Sequence, residues 1–165
     1  GAMNRNMYFS SVLGCNLGMF YKRRDYTRVV NGRNPIVAHE YLGDSVEGKT
    51  VFIADDIIAS GESMLEVASN LKARGAKRII ADATFPLFTS GLDKFDKAVE
   101  EGTLDYVVGT NLTYRKPELL NRDWYVDVDV SKYAAYFIVA LNHDMSVSSI
   151  IDPIKKIEAL LASRK

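Results

Sequence analysis

Residues 51–65 read V-F-I-A-D-D-I-I-A-S-G-E-S-M-L, and this stretch decides how the rest of the chain is read. With Thr50 in front, its opening T-V-F-I-A is an apolar, β-branched run of the kind that fills a parallel strand buried on both faces. Two adjacent carboxylates, Asp55 and Asp56, close that run. A loop of mostly small residues follows, Ala59-Ser60-Gly61-Glu62-Ser63, and then Met64, Leu65, Val67, Ala68 and Leu71 recur at helical spacing. Ligands of an open α/β sheet bind outside the carboxyl ends of its strands. A loop of small residues there can turn backbone N–H groups inward, and the following helix adds positive potential, so an anion is well held. Ser60 and Ser63 can add hydroxyl donors, while Asp55 and Asp56 suit sugar hydroxyls or a hydrated Mg²⁺. A plainer reading has the acids ending a strand and Ser60 or Ser63 capping a helix. Capping explains neither two acids in tandem nor their fixed offset from Gly61.

Working outward, residues 4–13 read as a helix on Met7, Phe9, Val12 and Leu13, and residues 17–21 as a short buried strand. From Lys22 to Lys49 the pattern dissolves into charge, Gly, Asn and Pro. That is long for a connection in a compact domain and reads as a functional loop or mobile arm. Downstream, Gly75 ends the helix as a C-cap, and residues 78–83 form the next strand. A helix at 92–101, strands at 106–109 and 125–128, and helices at 130–141 and 153–162 complete the chain. Strands alternating with helices over short joints predict a single α/β domain over residues 1–165, an open, mainly parallel sheet flanked by helices.

Twenty-one basic residues balance 21 acidic ones, so no global field points to nucleic acid. No apolar run approaches the roughly 18 residues of a membrane span, and no signal-peptide pattern opens the chain. The lone Cys15 cannot form an internal disulfide and suits a reducing compartment, so a cytoplasmic protein is expected. Cys15 itself reads as a small buried hydrophobe. Tyr133, Tyr136 and Phe137 read as core or subunit interface. His143-Asp144 has no nucleophile or metal partner at a useful spacing.

The segment Asp55-Asp56-Ile57-Ile58-Ala59-Ser60-Gly61-Glu62-Ser63 resembles the phosphoribosyl-diphosphate loop of type I phosphoribosyltransferases, D-D-hydrophobic-hydrophobic-x-[ST]-x-x-[ST]. Other segments resemble one branch of that superfamily, the ribose-phosphate pyrophosphokinases. Phe20-Tyr21-Lys22-Arg23-Arg24 is similar to the start of their catalytic flexible loop, and Val46-Glu47-Gly48-Lys49 to the lead-in to their loop strand. Lys72-Ala73-Arg74-Gly75-Ala76-Lys77-Arg78 and Ala83-Thr84-Phe85-Pro86-Leu87-Phe88 match further on, and Gly1-Ala2-Met3-Asn4-Arg5 is similar to their P-D-x-G-[AG]-x-x-R segment.

The resemblance implies a type I phosphoribosyltransferase-like fold. It also implies transfer of the diphosphoryl group of ATP to the anomeric hydroxyl of ribose 5-phosphate, giving 5-phosphoribosyl 1-diphosphate and AMP, with Mg²⁺ as cofactor. Residues Ala59, Ser60, Gly61, Glu62 and Ser63 would bind the 5-phosphate, Asp55 and Asp56 the ribose hydroxyls, and Lys22 and Arg24 would be the catalytic cations. The family is often hexameric, so a homo-oligomer is expected. Its ATP-binding residues and most metal ligands lie in an amino-terminal domain, which would precede Gly1. By that resemblance the chain is the carboxy-terminal half, binding ribose 5-phosphate without turning over alone, and no metal ligand is assigned within it. Three positions depart from the pattern: Ala59 where the kinases usually have Asp, Glu62 for Gly, and Phe85 for His. Glu62 would weaken phosphate binding if it pointed inward and do no harm if it pointed outward. The loop at 25–45 is lengthened and carries Arg28, Arg33 and His39. A true phosphoribosyltransferase is disfavoured because no hood for a nucleobase is visible. A non-catalytic relative, either a phosphoribosyl-diphosphate-sensing or a kinase-associated regulator, is disfavoured because Lys22 and Arg24 are both present.

Overall fold

The computed structural model describes residues 3–24 and 36–163. In chain order the elements are α1 (Met3–Leu13), β1 (Met19–Arg24), β2 (Ile36–Leu42), β3 (Thr50–Ile58), α2 (Glu62–Ala73), β4 (Arg78–Pro86), α3 (Asp93–Glu100), β5 (Tyr106–Thr110), α4 (Pro117–Leu120), β6 (Tyr125–Val128), α5 (Ser131–Asn142), α6 (Ser148–Ile151) and α7 (Ile154–Ala162). Strands β3, β4, β5 and β6 form a parallel sheet in that order. Parallel neighbours need a crossover between them, and α2, α3 and α4 supply the three. The register places Asp55 beside Ala83, Ala81 beside Val107, and Val107 beside Tyr125.

The core lies on one face of this sheet. Ile79, Ala81 and Ala83 alternate along β4 as fully buried residues, and Met64, Ala68 and Leu71 form the inward stripe of α2 at i, i+4 and i+7. Phe95 and Ala98 bring α3 onto the same cluster. The expectation that residues 50–54 are buried on both faces is corrected by Phe52, which is 58% exposed. The core helices cover only the face shared by Val51, Ile53 and Ile79, whereas Phe52 pairs with Ile80 on the other face.

The stretch expected as one long loop contains a second strand. Met19 to Lys22 pair antiparallel with Leu42 to His39, so β1 and β2 form their own two-stranded sheet. Residues 25–35 of the expected mobile arm, with Arg28 and Arg33, lie outside the described residues. The strand predicted at 17–21 is not fully buried: Leu17 and Tyr21 are exposed, whereas Met19 and Phe20 are half-buried, Phe20 against Tyr41 with ring centroids 5.2 Å apart. Tyr41 also carries the Arg74 guanidinium over its ring at 5.2 Å, which ties the hairpin to the end of α2.

Cys15 is exposed, not the buried hydrophobe expected, since it falls in the turn after α1, where its carbonyl accepts from the Ser10 hydroxyl at 2.5 Å. Tyr133 and Tyr136 are exposed as well, so they are not core; Phe137 is half-buried. Among the described residues no helix is long and apolar enough to cross a membrane.

Beneath the carboxyl ends of β3 and β4 lies an aromatic cluster. Phe88 meets Phe95 edge-on at 4.9 Å, and Phe95 stacks on Trp124 at 5.9 Å. Asp96 pins this cluster by accepting two hydrogen bonds from Arg122 at 2.9 Å and one from Trp124 Nε1 at 2.7 Å. The Arg122 hydrogen bond, with that of Trp124, holds the Asp96 carboxyl below its ordinary value. A carboxylate depressed in the fold stabilises it above the unfolded value near about 3.9, and that stabilisation is lost as pH falls through the lower folded value. Asp96→Asn is therefore expected to cost about 1 kcal/mol in urea unfolding at neutral pH. The gap from the wild type should shrink as the pH drops below about 4. A gap that stays constant down to acid pH would show that the charge on Asp96 does not matter.

Candidate functional site

The site is built from the carboxyl end of β3. The strand runs on to Ile58, so the acids expected to follow its end lie within it, with Asp55 paired to Ala83. Asp55 is half-buried and Asp56 is exposed; the Asp56 N–H donates to Asp55 Oδ1 at 2.8 Å. Burial first, then the hydrogen bond to Asp56, pushes the Asp55 carboxyl upward. The same side-chain hydrogen bond holds Asp56 down, with a smaller contribution from the positive charge of Arg5. The outer acid is thus the more firmly anionic of the two.

Helix α1 crosses these strand ends. Arg5 Nη1 donates to the Asp55 carbonyl at 3.3 Å and to Thr84 Oγ1 at 3.5 Å, and Asn6 Nδ2 donates to the Ala54 carbonyl at 3.2 Å. Asp82 on β4 is raised by burial, which Arg5 partly opposes. Neither Arg5 nor Asp82 was picked out as a site residue from sequence. Arg5 had a signal in the resembling segment at the start of the chain, whereas a single acid within a strand offers none.

The loop itself is tighter than its sequence suggested. Helix α2 begins at Glu62, two residues before the first apolar position, so only Ala59, Ser60 and Gly61 remain between strand and helix. Gly61 is the N-cap, at φ +80°, a left-handed conformation natural to glycine. Neither serine caps the helix, which corrects the plainer reading; the Ser60 hydroxyl accepts from the Glu62 N–H at 3.5 Å, and Ser63 lies exposed in the first turn. The first N–H groups of a helix have no partners within it, and they carry its positive end.

Two supports hold this loop from behind. The N–H groups of Leu87 and Phe88 donate to the Ile58 carbonyl at 2.9 and 3.2 Å, and that of Thr89 donates to the Ala59 carbonyl at 2.9 Å. Phe88 reaches this arrangement at φ +46°, a costly conformation for an aromatic residue, while its buried ring sits in the aromatic cluster. The second support is α3: a Cβ on Gly61 would overlap the edge of the Phe95 ring, and Lys94 Nζ donates to Glu62 Oε1 at 2.6 Å. The Lys94 hydrogen bond and charge hold the Glu62 carboxyl low. The side chain of Glu62, open from sequence, is thus turned onto α3.

Asp55, Asp56, Ala59, Ser60, Gly61, Glu62 and Ser63 come together at one corner of the sheet. Lys22 and Arg24 belong to β1, opposite His39 and Ile36 in the separate two-stranded sheet, and their side chains lie outside the described residues. Among the described residues no group of three or more His, Cys, Asp or Glu is placed to hold a metal ion. What the corner offers is a pair of acids beside a short backbone loop and a helix start, a combination that suits a sugar next to its phosphate.

Residues 1–131 match the family described as the phosphoribosyl transferase domain. The ribose-phosphate pyrophosphokinase of Wolinella succinogenes is 35% identical over 118 residues, covering 72% of this chain and 35% of that protein. The ribose-phosphate pyrophosphokinase of Thermotoga maritima is 30% identical over 152 residues, covering 91% of this chain and 44% of the relative. The chain thus spans less than half the length of these relatives. In three dimensions it resembles the crystal structure of phosphoribosylpyrophosphate synthetase from Mycobacterium smegmatis, with a TM-score of 0.67 and 20% identity over 87% of this chain and 42% of that one. At that identity the likeness is one of fold.

Proposed function

The chain belongs to the phosphoribosyl transferase domain family, and on that premise we propose that it is the ribose 5-phosphate-binding half of a ribose-phosphate pyrophosphokinase. The activity of the intact protein would be transfer of the diphosphoryl group of ATP to the anomeric hydroxyl of ribose 5-phosphate. The observation that carries this reading is the acid pair Asp55-Asp56 standing one short loop ahead of the Gly61-capped start of α2. The backbone of residues 59–63 takes the 5-phosphate, because N–H groups at a helix start hold an anion without a counter-charge. Asp55 and Asp56 accept from the ribose hydroxyls and fix the face that the sugar presents. Lys22 and Arg24 act as the cations that neutralise charge on the transferring group, since phosphoryl transfer is mostly positioning and charge stabilisation.

Asp55 and Asp56 also fit Mg²⁺, which is content with one or two carboxylates when it keeps its waters and leans on substrate phosphates. When bound, the ion would lower the charge on the diphosphate oxygens. ATP and its domain lie beyond what these residues supply, and assembly into a homo-oligomer belongs to the same reading.

Supplying the intact protein with ATP, Mg²⁺ and ribose 5-phosphate should yield AMP and 5-phosphoribosyl 1-diphosphate in equal amounts, and chelation of the divalent ion should stop it. Binding of ribose 5-phosphate with no such products would favour the regulator. Release of diphosphate from added phosphoribosyl diphosphate in the presence of a nucleobase would favour the transferase.

A further inference from the structure

Glu62 puts a carboxylate at the first helical position after Gly61, where the macrodipole favours an anion but where a bound phosphate would be repelled. Two contacts decide where that carboxylate goes. Phe95 lies against Gly61 so closely that the backbone before Glu62 has no room on that side. Lys94, the neighbour of Phe95 on α3, holds Glu62 Oε1 at 2.6 Å. Both partners are more than half exposed, at 51% and 69%, so the pair adds little to stability. Its effect is on direction: it fixes a charge that could otherwise swing over the loop.

We infer that Lys94 is a positioning residue for phosphate recognition, one that holds the Glu62 carboxylate against α3 and so keeps the loop receptive to an anion. The inference rests on the proposed binding of a sugar phosphate at residues 59–63. Lys94 touches no substrate in this scheme; it acts through Glu62. Without Lys94, a unit negative charge is free to approach a phosphate dianion to within several ångströms.

The test is isothermal titration of the intact protein with ribose 5-phosphate. At about 0.01 M salt, Lys94→Met is expected to weaken binding about three- to tenfold, and the loss should fade towards about 0.5 M salt as screening sets in. Lys94→Arg, which can still grip Glu62, should stay within about twofold of the wild type. The decisive arm is the double variant Lys94→Met with Glu62→Gln, which should recover most of the lost affinity although the lysine is still missing. No recovery in the double variant would overturn the inference, because Lys94 would then attract the phosphate directly. Affinity of Lys94→Met within twofold of the wild type at low salt would overturn it as well. A wild-type protein that takes up no ribose 5-phosphate would instead remove the functional reading on which the inference stands.

Discussion

Gly61→Val is expected to reduce ribose 5-phosphate affinity on the order of a hundredfold, measured by calorimetry on the intact protein. Two costs combine at this position. Gly61 sits at φ +80°, where a residue with a Cβ is strained by about 1–3 kcal/mol and a β-branched one is worse off. The added Cβ would also overlap the Phe95 ring, which is itself fully buried and stacked on Trp124. The ring cannot yield without disturbing the cluster, so the loop must move, and the N–H groups proposed to hold the phosphate move with it. Gly48 supplies the control. It has φ +68° and open space where its Cβ would go, so Gly48→Val meets backbone strain without a clash at the Cβ, and at the opposite end of β3 from the loop. It should lower thermal stability while leaving affinity close to the wild type. Unchanged affinity in a folded Gly61→Val protein would show that this loop does not form the phosphate nest.

Lys22→Ala and Arg24→Ala are expected to lower turnover far more than they weaken substrate binding. If these cations act on the transferring diphosphoryl group, their interactions exist mainly in the transition state, and their loss appears in kcat. Removing one well-placed charge donor costs about 3–4 kcal/mol, on the order of a hundred- to a thousandfold in rate. The two are not equivalent, because Arg24 offers a planar fork of donors and Lys22 a point charge; Arg24→Lys should therefore restore little. Their place on β1 suits such a role in one respect: strand pairing to β2 fixes the backbone from which both side chains depart. Steady-state kinetics on the intact protein, with ATP, Mg²⁺ and ribose 5-phosphate varied separately, distinguishes a rate effect from a binding effect. Near-normal turnover in both variants would remove the catalytic role and strengthen the regulator reading.

The sequence by itself determined the parallel sheet, the order of its strands along the chain, and the acid-loop-helix corner. Those features are written in neighbouring residues: the apolar run at 51–54, the helical stripe of Met64, Ala68 and Leu71, and a glycine where the backbone must turn left-handed. Local signals failed where burial depends on what packs against a residue. Phe52 reads as core and is exposed because the core helices lie on the other face, and Cys15 reads as buried but falls in an open turn. Strand β2 is obscured in sequence because His39-Glu40 interrupts its apolar residues and charge, Gly and Asn surround it; its antiparallel pairing with β1 is what marks Ile36–Leu42 as a strand. The setting of the loop at 59–61 and of the helix start after it was likewise decided by the tertiary structure alone. Gly61 rests on Phe95, Glu62 is held by Lys94 at a sequence separation of 32 residues, and Ile58 accepts from Leu87 and Phe88. No periodicity connects residues so far apart; only the crossover that lays α3 beside the start of α2 brings them into contact, and that contact fixes which way the charge beside the loop can point.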